Sequence, residues 1–338
     1  MASFSQFGND LHTGKRSFNI VGRRKTWYLV AAVAILIALV VPQLRGGFVF
    51  GIEFTGGSEF VVSDIAKQDQ AAAAQAVTSV VPAAVTKVSN VSNNGIRVQT
   101  DQLSSDATRS VRTALADAFA VPVDKVTASF IGPSWGADIT GQALRGLVIF
   151  LVLAAIGMAL YFRTWKMSLA AMAALLHDLV ITAGFYGITG FEITPAAVIG
   201  FLTILGYSLY DTVVVFDKIR ENTRQDGPES RRTFAESVNL AVNQTLVRSI
   251  NTSVVAVLPV GSILFIGAFV LGAGTLRDIS LALLIGIIAG AYSTIFIASP
   301  LYAGLRTREP GVRKRDKKAL LLRAKAGSAT KVSEGVTA

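Results

Sequence analysis

Six stretches of this chain are long and apolar enough to cross a bilayer. They run from about Trp27 to Leu44, Leu144 to Phe162, Met167 to Ile188, Ile193 to Phe216, Leu246 to Leu271 and Ile279 to Leu305. A spanning helix needs roughly 20 mostly apolar residues, because without water every backbone donor and acceptor must be satisfied within the segment. Any one block could be a buried core helix. Six are too many for a soluble globule in which 51% of residues are hydrophobic and only 16% charged, and the run from Ile279 to Leu305 carries no charge at all. The chain reads as a polytopic α-helical membrane protein with six transmembrane helices.

Lys and Arg placement sets the expected orientation. Lys15, Arg16, Arg23, Arg24 and Lys25 precede the first span, and Arg163 and Lys166 link the second to the third. Lys218, Arg220, Arg224, Arg231 and Arg232 link the fourth to the fifth, and ten more basic residues follow Leu305. With alternating spans all of these share one side, so both termini are expected in the cytoplasm. Gly46 to Gly141 falls on the other side, with six Lys or Arg against nine Asp or Glu. The net charge of +10 is thus a topology signal, and no nucleic-acid partner is expected. The first block is long for a signal-peptide core and lacks a small-residue cleavage site, so it is expected to remain as the first span.

The expected organisation is a cytoplasmic segment over 1–26, a first transmembrane helix over 27–44 and an external domain over 45–141. A five-helix transmembrane bundle over 142–305 and a basic, disordered cytoplasmic tail over 306–338 complete it. In the external region, 58–63 alternates as a strand, and the Ala-rich stretch 66–81 reads as a helix ended by Pro82. Asn93-Asn94-Gly95 marks a hairpin, since Asn-Gly tolerates the positive φ of a type I′ turn. Ser104 offers an N-cap for a helix through about Phe119, and 125–132 reads as a closing strand. The order βαββαβ is that of a ferredoxin-like split unit. With no cysteine in the chain, this domain has no disulfide and must hold by packing. Glycine motifs flank it: Gly51, Gly56 and Gly57 in GIEFTGG, Gly132 and Gly136 in GPSWG. They read as turns whose φ values other residues avoid.

Polar residues inside the spans carry the functional signal. A charged side chain at bilayer depth costs about 2.5–3.5 kcal/mol on insertion scales and usually marks a pathway or a paired site. The third span holds His177 and Asp178, and the fourth holds Asp211. In the fifth, Arg248 lies four residues after Gln244, and Asn251 and Thr252 lie three and four after Arg248, which puts them on one helical face. That stripe is expected to face Asp211. Two readings stay open for Asp211 and Arg248, a static ion pair pinning two helices or a functional pathway or relay. His177 and Asp178 could equally brace the third span. No Walker motif, nucleophile–base cluster or metal-ligand cluster stands out, and His12 and His177 are the only histidines; an enzyme is not expected.

In order along the chain, GIEFTGG, GPSWG, ALLHDLVITAG, GYSLYDTVVVFDKIREN, VNQTLVRSINTS and LRDISLALLIGIIAGAYSTIFIASPL resemble the SecF family of preprotein translocase subunits. That family is itself similar to resistance-nodulation-division transporters. The resemblance covers about Gly51 to Leu301. It implies a multi-pass subunit of the bacterial cytoplasmic membrane that uses the proton motive force, with no cofactor, to help export polypeptides. The partners it implies are SecD, the SecYEG channel and SecA, the exported polypeptide, and membrane lipids. It implies that Asp211 and Arg248 form the proton site and that His177 and Asp178 match the family's HD pair. Tyr210 stands where the family usually has Asn, and Glu53 where it more often has Asp. The alternative from a different class is half of a lipid or drug exporter of the resistance-nodulation-division type.

Overall fold

Six helices long and apolar enough to cross a membrane carry most of the chain in the computed structural model, which describes residues 4–91, 94–227, 230–270 and 274–336. A short helix α1 (Phe4–His12) precedes the first span, α2 (Arg24–Leu44). The external region follows as α3 (Ile52–Thr55), β1 (Gly57–Val62), α4 (Gln70–Val80), β2 (Thr86–Val91), β3 (Gly95–Thr100), α5 (Ser105–Ala118) and β4 (Val126–Ile131). Then come α6 (Pro133–Phe162), α7 (Trp165–Thr189), α8 (Pro195–Gln225) and α9 (Phe234–Phe265). The last span joins α10 (Gly274–Ser293) to α11 (Ser299–Arg306), and α12 (Pro310–Val336) closes the described chain.

The four strands form one antiparallel sheet in the order β2-β3-β1-β4. Alternation along the strands explains its core: Phe60, Val62, Ile96, Val98 and Val126 all point to one face, where Val77 of α4 and Val111 and Leu115 of α5 cover them. The α5 helix starts where expected, with the Ser104 hydroxyl accepting from the Ala107 N–H at 3.2 Å. Asn93 of the expected hairpin lies outside the described residues; Val91 pairs with Gly95 across it.

Several expectations need correction. The second span begins at Pro133, so GPSWG is its first turn, with Gly132 at the N-cap and Pro at N1, where a missing N–H is harmless. Gly132 has φ −70° and Gly136 is helical. Only Gly56 (φ 74°) and Gly57 (φ 141°) of the five motif glycines take positive φ. Gly136 serves a close approach: a Cβ there would collide with the Phe54 carbonyl of α3, so the two glycine motifs pack on each other. The tail expected to be disordered forms α12. Its Ala, Leu, Lys and Arg favour a helix, and it docks at the start of α9. There the Asp316 carboxylate accepts from the Phe234 N–H at 2.8 Å, and Arg323 pairs with Glu236 at 2.8 Å.

The external sheet is tied to the α7–α8 connection. The Gly51 N–H donates to the Ile193 carbonyl and the Ile193 N–H to the Val49 carbonyl. Beside them Glu192 pairs with Lys87 of β2 at 3.1 Å and Arg97 of β3 at 3.5 Å, and Arg97 also reaches Glu59 of β1 at 3.5 Å.

Candidate functional site

Polar groups collect at mid-length of α7, α8 and α9 and at the last turn of α10, where the helices pack through small residues that let backbones approach closely. Asp178 of α7 is fully buried. Its Oδ2 accepts from Ser208 of α8 at 2.5 Å and from Ser293 of α10 at 2.9 Å. Its Oδ1 lies 3.1 Å from His177 Nδ1. Gly290 makes room for Ser208, since a Cβ there would sit only 3.1 Å from the Ser208 Cβ and Oγ. One carboxylate thus joins three helices, with both of its oxygens engaged.

Asp211 lies on α8 one turn beyond Ser208, on the same face. It is also buried, yet far less satisfied. Its Oδ1 accepts from Ser249 of α9 at 2.9 Å, and its Oδ2 is buried without a hydrogen-bond partner among the described residues. The expected contact with Arg248 is absent: no ion pair joins the two among the described residues, and Asp211 Oδ2 has no hydrogen-bond partner there.

The reason is a helical rotation. The buried face of α9 runs Phe234, Val238, Ala241, Val242, Thr245, Leu246, Ser249, in steps of three and four. Arg248 and Asn251 lie on the neighbouring face and are exposed, and Thr252 is half-buried. Gln244 belongs to the end of the bundle near the N-terminus, accepting from Asn222 at 2.8 Å and donating to the His12 carbonyl at 3.0 Å. The expected polar stripe is therefore real in sequence but does not face Asp211. Tyr210 points outward, 57% exposed, so the phenol in place of the usual Asn takes no part in the buried network.

The last span is distorted beside this cluster. Thr294–Ala298 winds as a wide π turn just ahead of Pro300, whose missing N–H prevents regular α bonding there. Ser299 Oγ donates instead to the Thr294 carbonyl at 3.0 Å, and the Thr294 and Thr212 hydroxyls meet at 2.9 Å. A third buried carboxylate, Asp278, opens α10. It accepts from Thr194 at 2.9 Å and from Arg277 at 3.0 Å, while the Tyr186 hydroxyl donates to its backbone carbonyl at 2.8 Å. Ser208, Ser249, Ser293 and Asp278 escape a search for intramembrane charges and stripes. Serine is ordinary in helices, and Asp278 stands at the very start of its apolar run.

Comparison with known proteins gives one family. The model of the protein export membrane protein SecD/SecF, C-terminal, matches residues 110–308. The protein translocase subunit SecF of Streptomyces coelicolor is 44% identical over 326 residues, covering 96% of this chain and 86% of the relative. The SecF of Mycobacterium tuberculosis is 42% identical, covering 93% and 73%. The crystal structure of SecDF from Thermus thermophilus, a translocon-associated membrane protein, superposes with a TM-score of 0.74 at 28% identity. That match covers 87% of this chain, which spans 39% of the longer SecDF chain.

Proposed function

The chain belongs to the SecD/SecF family of protein export membrane proteins, and we propose that this membrane subunit of protein translocation draws on a proton gradient through Asp211 to assist export. The observation that carries the reading is the half-satisfied Asp211: one oxygen bonded to Ser249, the other buried without a partner among the described residues. Burial favours the neutral acid and a neighbouring guanidinium favours the carboxylate. A small shift of α9 against α8 therefore decides which form holds, and Arg248, one residue from Ser249, rides on the same shift. Moving one proton through the membrane potential supplies about 2.3 kcal/mol per 100 mV, so many protons per exported chain are needed.

Arg248 and Asn251 face outward at mid-span, where an arginine against hydrocarbon costs about 2.5–3.5 kcal/mol. We assign that face to a SecD-type partner, which fits the fusion of SecD and SecF in chains that this one spans by about two fifths. SecYEG and SecA complete the assembly, in the cytoplasmic membrane of a bacterium with both termini inside. The sheet order and the two crossing helices support a ferredoxin-like external domain that handles the emerging polypeptide. No cofactor takes part; the gradient is the energy source.

The test is export into vesicles with and without a proton gradient. Asp211→Asn keeps size and hydrogen bonding but cannot titrate, so it should assemble and lose the gradient-dependent increment. Exchanging the residues (Asp211→Arg with Arg248→Asp) should assemble and stay inactive. Restored export in the exchange would mean that only a static pair matters, and full activity in Asp211→Asn would end the proton-switch reading.

A further inference from the structure

At the end of the bundle that carries both termini, a cavity of about 730 Å³ lies between the α6–α7 turn, the last turns of α8, the start of α9 and α11–α12. Its wall carries Arg163, Lys166, Arg220, Arg224, Arg306 and Arg315 against a single carboxylate, Glu309. Glu309 is already neutralised, by Lys166 at 2.7 Å and Arg306 at 2.6 Å. Lys166 also donates to the Leu305 carbonyl at 3.0 Å, and Arg220 to the Tyr161 carbonyl at 3.4 Å. Arg163, Arg224 and Arg315 have no ion-pair partner among the described residues.

Arg315 points to a ligand most directly. Its Nε and Nη2 are buried with no hydrogen-bond partner among the described residues, as is Arg306 Nε. The guanidinium is held 5.5 Å from the Phe234 ring centroid, so it is fixed in place by stacking and not by an acceptor. Buried donors without acceptors are costly, and a converging set of guanidinium forks matches a phosphate, whose oxygens accept two N–H bonds side by side. The rim says which phosphate. Leu160, Tyr161 and Trp165 flank the Arg163 turn at 72%, 54% and 64% exposure, and Lys166 lies 5.8 Å over the Trp165 ring. A Trp at headgroup level beside exposed apolar surface is where acyl chains end, and basic pockets between spans on the cytoplasmic side take anionic headgroups.

We propose that this cavity is a binding site for the phosphate of an anionic phospholipid headgroup. It is independent of the proton switch and stands whether or not Asp211 titrates. The measurement is native mass spectrometry of the full chain in mild detergent, titrated with short-chain phosphatidylglycerol, with phosphatidylcholine and inorganic phosphate as comparisons. Arg224→Gln with Arg315→Gln should lower phosphatidylglycerol affinity about tenfold or more, since each removes a charge-assisted hydrogen bond. Lys317→Gln with Lys318→Gln, outside the cavity wall and equal in charge change, should lower it less than about twofold. Should the first variant misfold, Arg163→Asn with Arg224→Gln, which removes no ion pair within the protein, makes the same comparison. Equal losses in the cavity and control variants, or equal binding of phosphatidylcholine, would overturn the site. Displacement of the lipid by inorganic phosphate at matched concentration would overturn its assignment to lipid.

Discussion

Two carboxylates sit in the middle of the same bundle, one turn of α8 apart in their contacts, and their surroundings differ. Around Asp178 both oxygens are engaged, by Ser208, Ser293 and His177 from two neighbouring helices and its own. Around Asp211 a single hydroxyl, from Ser249, reaches one oxygen among the described residues, and Arg248 lies on the exposed neighbouring face of α9. A saturated carboxylate fixes helices in place, because moving any of them breaks a bond in a medium with no replacement. An unsaturated one leaves room for a proton and for a second arrangement of α9. On the proposed function, incomplete satisfaction rather than intramembrane charge alone distinguishes Asp211 from Asp178.

The largest effect expected from this contrast is on stability at the Asp178 side. Interhelical hydrogen bonds in membranes contribute about 0.6 kcal/mol on average and up to about 1.7. Asp178→Ala removes two interhelical bonds and the His177 contact within α7 and leaves the Ser208 hydroxyl without its acceptor, so it should lower unfolding free energy by roughly 2–4 kcal/mol, read from denaturant titration in detergent. Asp211→Ala removes one and should cost about 0.6 kcal/mol while abolishing the gradient-dependent increment of export. Equal destabilisation by the two would erase the distinction.

Next in size is the junction between the glycine motifs. Gly136→Ala forces a methyl against the Phe54 carbonyl and should cost about 1–3 kcal/mol, as overpacking usually does. Its effect should appear as loosening of the external domain and leave the Asp178 and Asp211 contacts intact, which thermal unfolding and hydrogen exchange resolve separately.

Smaller still is a pH effect outside the membrane. Burial raises the Glu53 carboxyl above the ordinary carboxylate range, helped by the nearby charges of Glu59 and Glu192, against its backbone hydrogen bond and Arg97. The folded form therefore holds this proton more tightly than the unfolded chain does. Its contribution is fully present below the unfolded carboxylate pKa and is lost as pH rises through the raised one. Hydrogen exchange across Val49–Gly57 should accelerate as pH rises through that window, after correction for intrinsic exchange, and Glu53→Gln should flatten the dependence. An unchanged profile in Glu53→Gln would separate Glu53 from the docking of the domain.

Much of this molecule is legible in the sequence. Apolar run length gives the six spans, period-2 alternation gives the strands, and Ser104 gives the start of α5. The chemistry at Asp211 is legible only in part. Helical spacing shows that Gln244, Arg248 and Asn251 share a face, but not which face of α9 turns inward; the run from Phe234 to Ser249 wins because it is the one that packs. The partners of Asp178 are serines on two other helices, and their meeting depends on tertiary register that no local pattern encodes. In the tail, Ser, Gly and Thr suggest disorder, while the Ala-Leu-Leu-Leu-Arg-Ala-Lys-Ala run and the Asp316 contact to Phe234 settle a helix.

The central claim is that Asp211, and not Asp178, exchanges a proton. Infrared difference spectra of the full chain across a pH titration report it directly, through the carbonyl stretch of a protonated carboxyl. One titrating component of that band, separate from the Glu53 component that Glu53→Gln removes, should be present in the unaltered protein, persist in Asp178→Asn and be lost in Asp211→Asn. A component that survives Asp211→Asn and disappears in Asp178→Asn would contradict the account.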